Sequence, residues 1–417
     1  MINKEYKIHI VGAGVSGLVA ARVLENNGFS PVIIEATDTV GGRVKTDIVN
    51  GFQLDHGFQV LLTAYPAAQK YLDFKTLQLQ RFLPGASIFK NKEQKIIGDP
   101  LRDFSLLFST LFSGIGNYSD KLKILKLNSY LKKKKISDIF TEKEQTTYSY
   151  LKDYGFSNEM ISDFFQPFFS GIFLEIELAT SSRMFEFVYK MFGEGDAAIP
   201  KKGIQAIPNQ LQQNLKNTTF LFNTEVASIK DGIVTLSTGE KLESNFTIVT
   251  ANASHLISNL KNQATKWKSC NTLYFETEKR VISKKLIGLI PKGDTLINNI
   301  FYHTSLKTDT KTNKELLSVT VIDSKNILEE KLVEQVRKEL KEYCNIDAGV
   351  FIKLYKISNA LPKLNNLQYE MLPSETRLTT NVFLAGDVQL NGSLNAAMIS
   401  GERAALGVIE TIANTIS

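Results

Sequence analysis

The stretch "KIHIVGAGVSGLVAARVLENNGFSPVIIE", residues 7–35, constrains this chain more than any other. Ile8, Ile10 and Val11 make a short apolar strand, Gly12-Ala13-Gly14-Val15-Ser16-Gly17 a turn, and the apolar spacing from Leu18 to Asn27 a helix. Asn26-Asn27-Gly28 stops that helix, and Pro31 opens a second buried strand, Val32-Ile33-Ile34, which ends on Glu35. Such a unit closes right-handed and starts a parallel sheet. Gly12 lets the chain turn sharply, Gly14 clears a path for a pyrophosphate, and Gly17 lets helix pack on strand. The helix N-terminus supplies free N–H groups and a partial positive charge. Glu35 stands where a carboxylate accepts both hydroxyls of an adenosine ribose and repels a 2'-phosphate. These residues alone call for a dinucleotide with a free ribose diol, either NAD or FAD.

The next stretch, "IIEATDTVGGRVKTD" (33–47), adds a demand that a plain NAD dehydrogenase does not make. Gly41 and Gly42 let the backbone pass close to a ligand, and Arg43 brings a forked cation suited to a pyrophosphate. Asp55-His56-Gly57 follows with another tight backbone approach.

With those residues in view, the N-terminal stretch resembles the signature of the flavin amine oxidase, phytoene desaturase and protoporphyrinogen oxidase superfamily. Two further stretches are similar to that family. "AAIPKKGIQAIPNQL" (197–211) resembles its Pro-x-Gly-Gly segment re-entering the cofactor domain, with Lys202-Gly203 in place of the glycine pair. "VFLAGDVQLNGSLNAAMISGERAA" (382–405) resembles its C-terminal flavin motif. The resemblance implies FAD, with contacts at Gly12, Gly14, Val15, Ser16, Gly17, Glu35, Ala36, Gly41, Gly42, Arg43, Gly57, Val226, Gly386, Asp387, Ser393, Leu394 and Ala397. It sets Asp387 toward the ribityl hydroxyls and the helix after Ser393 beneath the flavin ring, where its positive end stabilises charge. Ala396, Ala397, Gly401, Ala404 and Ala405 keep one face of that helix small for packing. Covalent attachment in some relatives uses a cysteine near this motif. No cysteine follows Cys344, so the FAD is expected to be non-covalent, with His56 packed near it.

The discontinuous motifs imply an α/β fold: a Rossmann-like FAD-binding domain from 1–75, 200–252 and 375–417, with an inserted α+β substrate domain. The insert should be helical over 76–199 and strand-rich over 253–374. Between residues 140 and 192 stand fourteen Phe or Tyr, against 10% aromatic content overall. Phe164, Phe165, Phe168, Phe169, Phe173, Phe185 and Phe187 therefore read as core that also walls an apolar pocket. Residues 218–250 alternate at period two and read as a small β-meander, and 326–343 as a helix.

At 417 residues the chain exceeds one ordinary core, and its 43% hydrophobic and 22% charged content describes a soluble globular protein. Two distant cysteines and four scattered histidines give no disulfide framework and no metal-ligand spacing, and no Gly-x-Ser-x-Gly elbow supports serine chemistry. The apolar stretch at 104–116 is too short to span a bilayer, so a cytoplasmic place is expected. "DKLKILKLNSYLKKKKISD" holds seven Lys between 121 and 135. It lacks the aromatic interleaving of nucleic-acid binders and reads as a solvated helix face, with peripheral contact at the inner face of the membrane as the alternative. Nothing in the sequence sets the oligomeric state.

The expected function is an FAD-dependent oxidoreductase that dehydrogenates or desaturates a hydrophobic small molecule, hydride passing to flavin N5. Amine or porphyrinogen oxidation is the alternative within that class, and a flavin-binding partner without turnover the alternative outside it. No residue is singled out as catalytic, because no one lysine stands apart as the group some amine oxidases place near N5.

Overall fold

The computed structural model describes residues 6–99, 102–103, 106, 114–291, 295–322 and 327–416. Most of the apolar stretch at 104–116 lies outside them. Five parallel strands form the first sheet, in the order β10 (Thr219–Leu221), β2 (Val32–Ile34), β1 (Ile8–Val11), β14 (Phe246–Val249) and β20 (Val382–Leu384). Their register places Val11 beside Ile34 and Val249, Ile34 beside Leu221, and Val249 beside Leu384. All five strands therefore end along one edge. That edge is where an open parallel sheet binds its ligand.

The sheet is the middle of three layers. On one face α1 (Val15–Asn26) and α6 (Leu394–Ile416) pack on Ile8, Ile10, Ile33, Ile248 and Phe383. On the other, Val11, Ile34, Val249 and Val382 meet Ile229, Val234 and Leu236 of an antiparallel meander, β11 (Val226–Lys230), β12 (Ile233–Leu236) and β13 (Lys241–Glu243). The meander is thus shorter than its alternation implies, because its outer segments, β10 and β14, belong to the parallel sheet. β14 is buried at all four positions, as an interior parallel strand is on both faces.

A seven-stranded sheet stands beside it: β19 (Phe351–Lys363), β15 (Lys266–Thr277), β18 (Glu315–Val321), β17 (Ile297–Tyr302), β16 (Ile287–Leu289), β7 (Gly85–Lys90) and β8 (Glu93–Gly98). The β7–β8 hairpin corrects the expectation that 76–199 is helical. It carries Asn91 and Lys92 at positive φ, the two-residue turn that matches strand twist. The helices of that segment follow it: α2 (Tyr118–Lys133), α3 (Gln166–Phe173) and α4 (Ser182–Glu194). The helix expected near 326–343 is α5 (Glu329–Cys344), packing Leu332, Val336 and Leu340 on Phe275, Leu317 and Val319 of the large sheet. Two small sheets complete the set: the hairpin β3 (Thr46–Val49) and β4 (Phe52–Asp55), and β5 (Leu61–Leu62) with β9 (Ala197–Ile199) and β6 (Gln80–Arg81). No helix among the described residues is long and apolar enough to cross a membrane.

Candidate active site

One cavity of about 1010 Å³ runs from the ligand edge of the parallel sheet to the aromatic helices. That volume lies at the upper end of the range for small-molecule sites. At its nucleotide end stand Gly12, Gly14, Val15, Ser16 and Glu35. No side chain caps the start of α1, and Leu18 makes the first helical bond to the Gly14 carbonyl. The N–H groups of Val15, Ser16 and Gly17 are thus left at a helix end that attracts anions. Gly14 borders open space: a Cβ built there meets no atom within 4 Å. Gly12 is held instead by strain and crowding, with φ +106 and a would-be Cβ only 2.7 Å from the Thr250 hydroxyl.

The Glu35 carboxylate is oriented from both sides, Ala13 N–H donating to Oε2 at 2.8 Å and Thr37 N–H to Oε1 at 2.9 Å. Oε1 also accepts from the Thr37 hydroxyl at 2.8 Å, so Oε2 is the oxygen that keeps a further lone pair for a ligand hydroxyl. The glycine pair answers to the same turn. Gly41 N–H donates to the Ala13 carbonyl at 3.0 Å, and a Cβ on Gly42 would lie 3.5 Å from Gly14 Cα. Arg43 then reaches across to Asp387 in an ion pair, donates to the Ala360 carbonyl, and lies over the Trp267 ring at 5.0 Å. The first and last motifs of the chain therefore meet at one ion pair. Beyond Asp387 a serine N-cap starts α6: the Ser393 hydroxyl accepts from Ala396 N–H at 3.0 Å. Ser393, Leu394 and Ala397 line the cavity there, as do Gly41, Gly42, Arg43, Gly57, Gly386 and Asp387.

Three residues expected in contact with the cofactor stand outside this wall. Gly17 lies behind it, where a Cβ would be 2.1 Å from the Gly12 carbonyl, so its bare Cα serves helix-on-strand packing. Val226 buries its side chain in the meander core, and Ala36 is exposed beyond Glu35. Other lining residues carried no sequence signal that was read. Thr250 and Ala251 follow β14, and reading "FTIV" as a parallel strand would have brought them to the ligand edge. Residues 355–361 of β19 line the far side, next to His56, whose ring lies tilted against Tyr355 with centroids 4.4 Å apart. His56 Nε2 lies 3.0 Å from Asp47 Oδ2, an ion-pair distance off the line of a hydrogen bond. Burial pushes the Asp47 carboxyl up, but the Tyr355 hydroxyl and the neighbouring His56 hold it below its usual range.

Gly203 takes the tight approach in the segment where Lys202 replaces a glycine. It has φ +81, its Cβ would fall 2.5 Å from the Thr46 side chain, and Lys202 is exposed. Beside it, burial pushes the Asp55 carboxyl up to about 6, against the Thr46 hydroxyl and Ile204 N–H that donate to it.

The substrate end is walled by Phe164, Phe168, Phe169, Ile172, Tyr189 and Phe192. Phe165, Phe169, Phe173, Phe185 and Phe187 are fully buried, while Phe164 and Phe168 are half-buried against the cavity. Arg102 borders this end with its guanidinium committed to Asp196 and to the Phe192 and Gly195 carbonyls. The sheet wall adds Cys270, Thr320 and Asn299, the last donating to Thr320 at 3.3 Å. Burial pushes the Cys270 thiol up to about 11, so it stays protonated and unreactive.

Comparison with known proteins bears on this cavity. The family described as "Flavin containing amine oxidoreductase" matches residues 15–409. The chain belongs to that family. It is therefore a flavin-dependent oxidoreductase, and its cofactor is non-covalently bound FAD, for which the open Gly14 lip, the uncapped α1 and the oriented Glu35 provide a fitting cradle. Among similar proteins, protoporphyrinogen oxidase 2 of Arabidopsis thaliana is 28% identical over 167 residues, 40% of this chain and 32% of that protein. The matched stretch thus spans about a third of that relative's length. A putative protoporphyrinogen oxidase from Exiguobacterium sp. 255-15 superposes with TM-score 0.73 at 14% identity, over 97% of this chain and 99% of that one. Cyclohexylamine oxidase from Brevibacterium oxydans IH-35A gives 0.69 at 13% identity, over 98% and 100%. At such identities these two establish the shared fold.

Proposed function

We propose that this flavoenzyme desaturates a hydrophobic, uncharged small molecule of isoprenoid character. The observation that carries the reading is the wall of Phe164, Phe168, Phe169, Ile172 and Phe192 on the same cavity as the nucleotide cradle. A mainly apolar chamber binds by surface burial and gives an ionic group little in exchange for its water. Bound FAD supplies a hydride acceptor at N5. The chain's own part is to hold that acceptor against the chamber, exclude water and orient the carbon that loses hydride. Asn299 and Thr320 are the polar pair on the sheet wall able to turn a substrate or a water, and Arg102 is already engaged by Asp196.

Amine oxidation is a second reading, favoured by one feature: the acidic residue Asp99 is part of the same cavity's lining, and its charge is opposite to that of an ammonium. Anaerobic mixing of purified holoprotein with a polyene, a porphyrinogen or a polyamine, followed by loss of flavin absorbance, separates the readings. Bleaching by the polyene is expected. Bleaching by the amine alone moves the assignment to the second reading, and bleaching by none overturns both.

A further inference from the structure

Helix α2 has two unlike faces. Its inner face sends Leu127 and Leu131 into the core, and Ile124 and Asn128 line the cavity. Its outer face presents Tyr118, Leu122 and Leu125 to solvent, 73%, 61% and 41% exposed. At helical spacing these three fall within an arc of roughly 60°. Lys126 and Lys133 stand on one flank of that arc, Lys121 and Lys132 on the other. Lys123 and Lys134 are engaged elsewhere, by the Gly155 carbonyl and by Glu142 and Glu186. Among the described residues Lys126, Lys132 and Lys133 have no carboxylate within ion-pair distance.

A merely solvated face explains the lysines but not the apolar stripe between them. We propose that the outer face of α2 docks on an anionic membrane surface, its lysines at the headgroups and Tyr118, Leu122 and Leu125 at the acyl boundary. The shape favours a bilayer over a protein partner, because the stripe is the convex surface of one helix with cations on both sides. That is the form of an interfacial helix. Nucleic acid is disfavoured because leucines take the places where stacking rings would be needed. One helix diameter, about 10 Å, then separates lipid from the cavity lined by Ile124 and Asn128. The use of that proximity to admit an apolar substrate rests on the function proposed above. The docking surface itself does not.

The test is flotation of the FAD-loaded protein with vesicles of phosphatidylcholine alone or with about 30% phosphatidylglycerol, at low and high salt. Binding to the anionic vesicles at low salt, weakened by salt, is expected. Each lysine near such a surface strengthens partitioning about fivefold, so K126Q/K132Q/K133Q together should weaken it about 100-fold. L122S/L125S should weaken it about tenfold or more. Both variants should retain wild-type flavin content and unfolding temperature, which separates loss of docking from loss of the fold. The proposal is overturned if the wild type stays with the unfloated protein, if both variants float as it does, or if duplex DNA is bound and vesicles are not.

Discussion

Gly14 separates a glycine required by a ligand from one required by the fold. It has φ −69 and ψ 173, open to any residue, and a Cβ there meets nothing within 4 Å. Gly14→Ala should therefore leave the apoprotein intact, and by narrowing the unfolded ensemble should stabilise it by about 0.4–1 kcal/mol. The same methyl would occupy the place where a pyrophosphate crosses the α1 terminus. Crowding of one methyl into a packed contact costs about 1–3 kcal/mol, which is about 5- to 150-fold in Kd. Two controls sit a few residues away. Gly12→Ala must accept φ +106 and a contact of 2.7 Å, and Gly17→Ala a contact of 2.1 Å with the Gly12 carbonyl, so both should destabilise the apoprotein itself. The assay is thermal unfolding of apoprotein beside fluorescence titration with FAD. Wild-type affinity in Gly14→Ala would show that no phosphate passes over Gly14. A loss of apoprotein stability as large as in Gly12→Ala would show that the fold demands the glycine, and the reasoning would fail.

Arg43→Leu should strand the Asp387 carboxylate, which is nearly buried, costing about 2 kcal/mol of apoprotein stability and weakening FAD; adding Asp387→Asn should restore most of the stability but not the affinity, as read by denaturant unfolding and titration. Asp55 ionises near 6 in the fold against 3.8 when free, so the folded state holds its proton more tightly and loses stability as pH rises through that interval. The unfolding free energy of wild-type apoprotein minus that of Asp55→Asn should fall by about 2.4 kcal/mol between about pH 4 and about pH 7, measured by urea denaturation. Gly401→Val should force α6 off α1, since its Cβ would lie 2.2 Å from the Ser16 carbonyl, and should lower the unfolding temperature and the flavin content together.

The nucleotide half was legible in the sequence because its signals are local. Strand, turn, helix and terminal acid follow one another between Ile8 and Glu35, although the crowding at Gly12 comes from distant Thr250 and no protein atom crowds Gly14. The small residues of α6 were legible for the same reason, and their use is visible in Gly401 against Ser16. What failed was strand partnership. "TTFLF" and "FTIV" flank a true meander, and alternation alone does not distinguish a meander strand from a parallel strand beside β1 or β2. The β7–β8 hairpin was hidden inside an otherwise helical segment. Its sign was Asn91-Lys92 between two short runs, GASIFK and EQKIIG, neither of which alternates, and its partner β16 lies some two hundred residues on, beyond any local pattern.

The ion pair between Arg43 and Asp387 and the contact of Gly401 with Ser16 join opposite ends of the chain without a ligand between them. Little of the reaction is written in conspicuous side chains. With the acceptor supplied by FAD and its place fixed by backbone and helix ends, the chain's remaining choice is the wall opposite. That wall is built by α3, α4 and the large sheet, where Phe169 packs on Phe185 at 4.7 Å and Asn299 meets Thr320. Phenylalanines that hold the helices together and phenylalanines that face a substrate obey the same burial rule in sequence. Only the fold separates Phe164 and Phe168, half-buried on the cavity, from Phe165 and Phe169, which the core also claims.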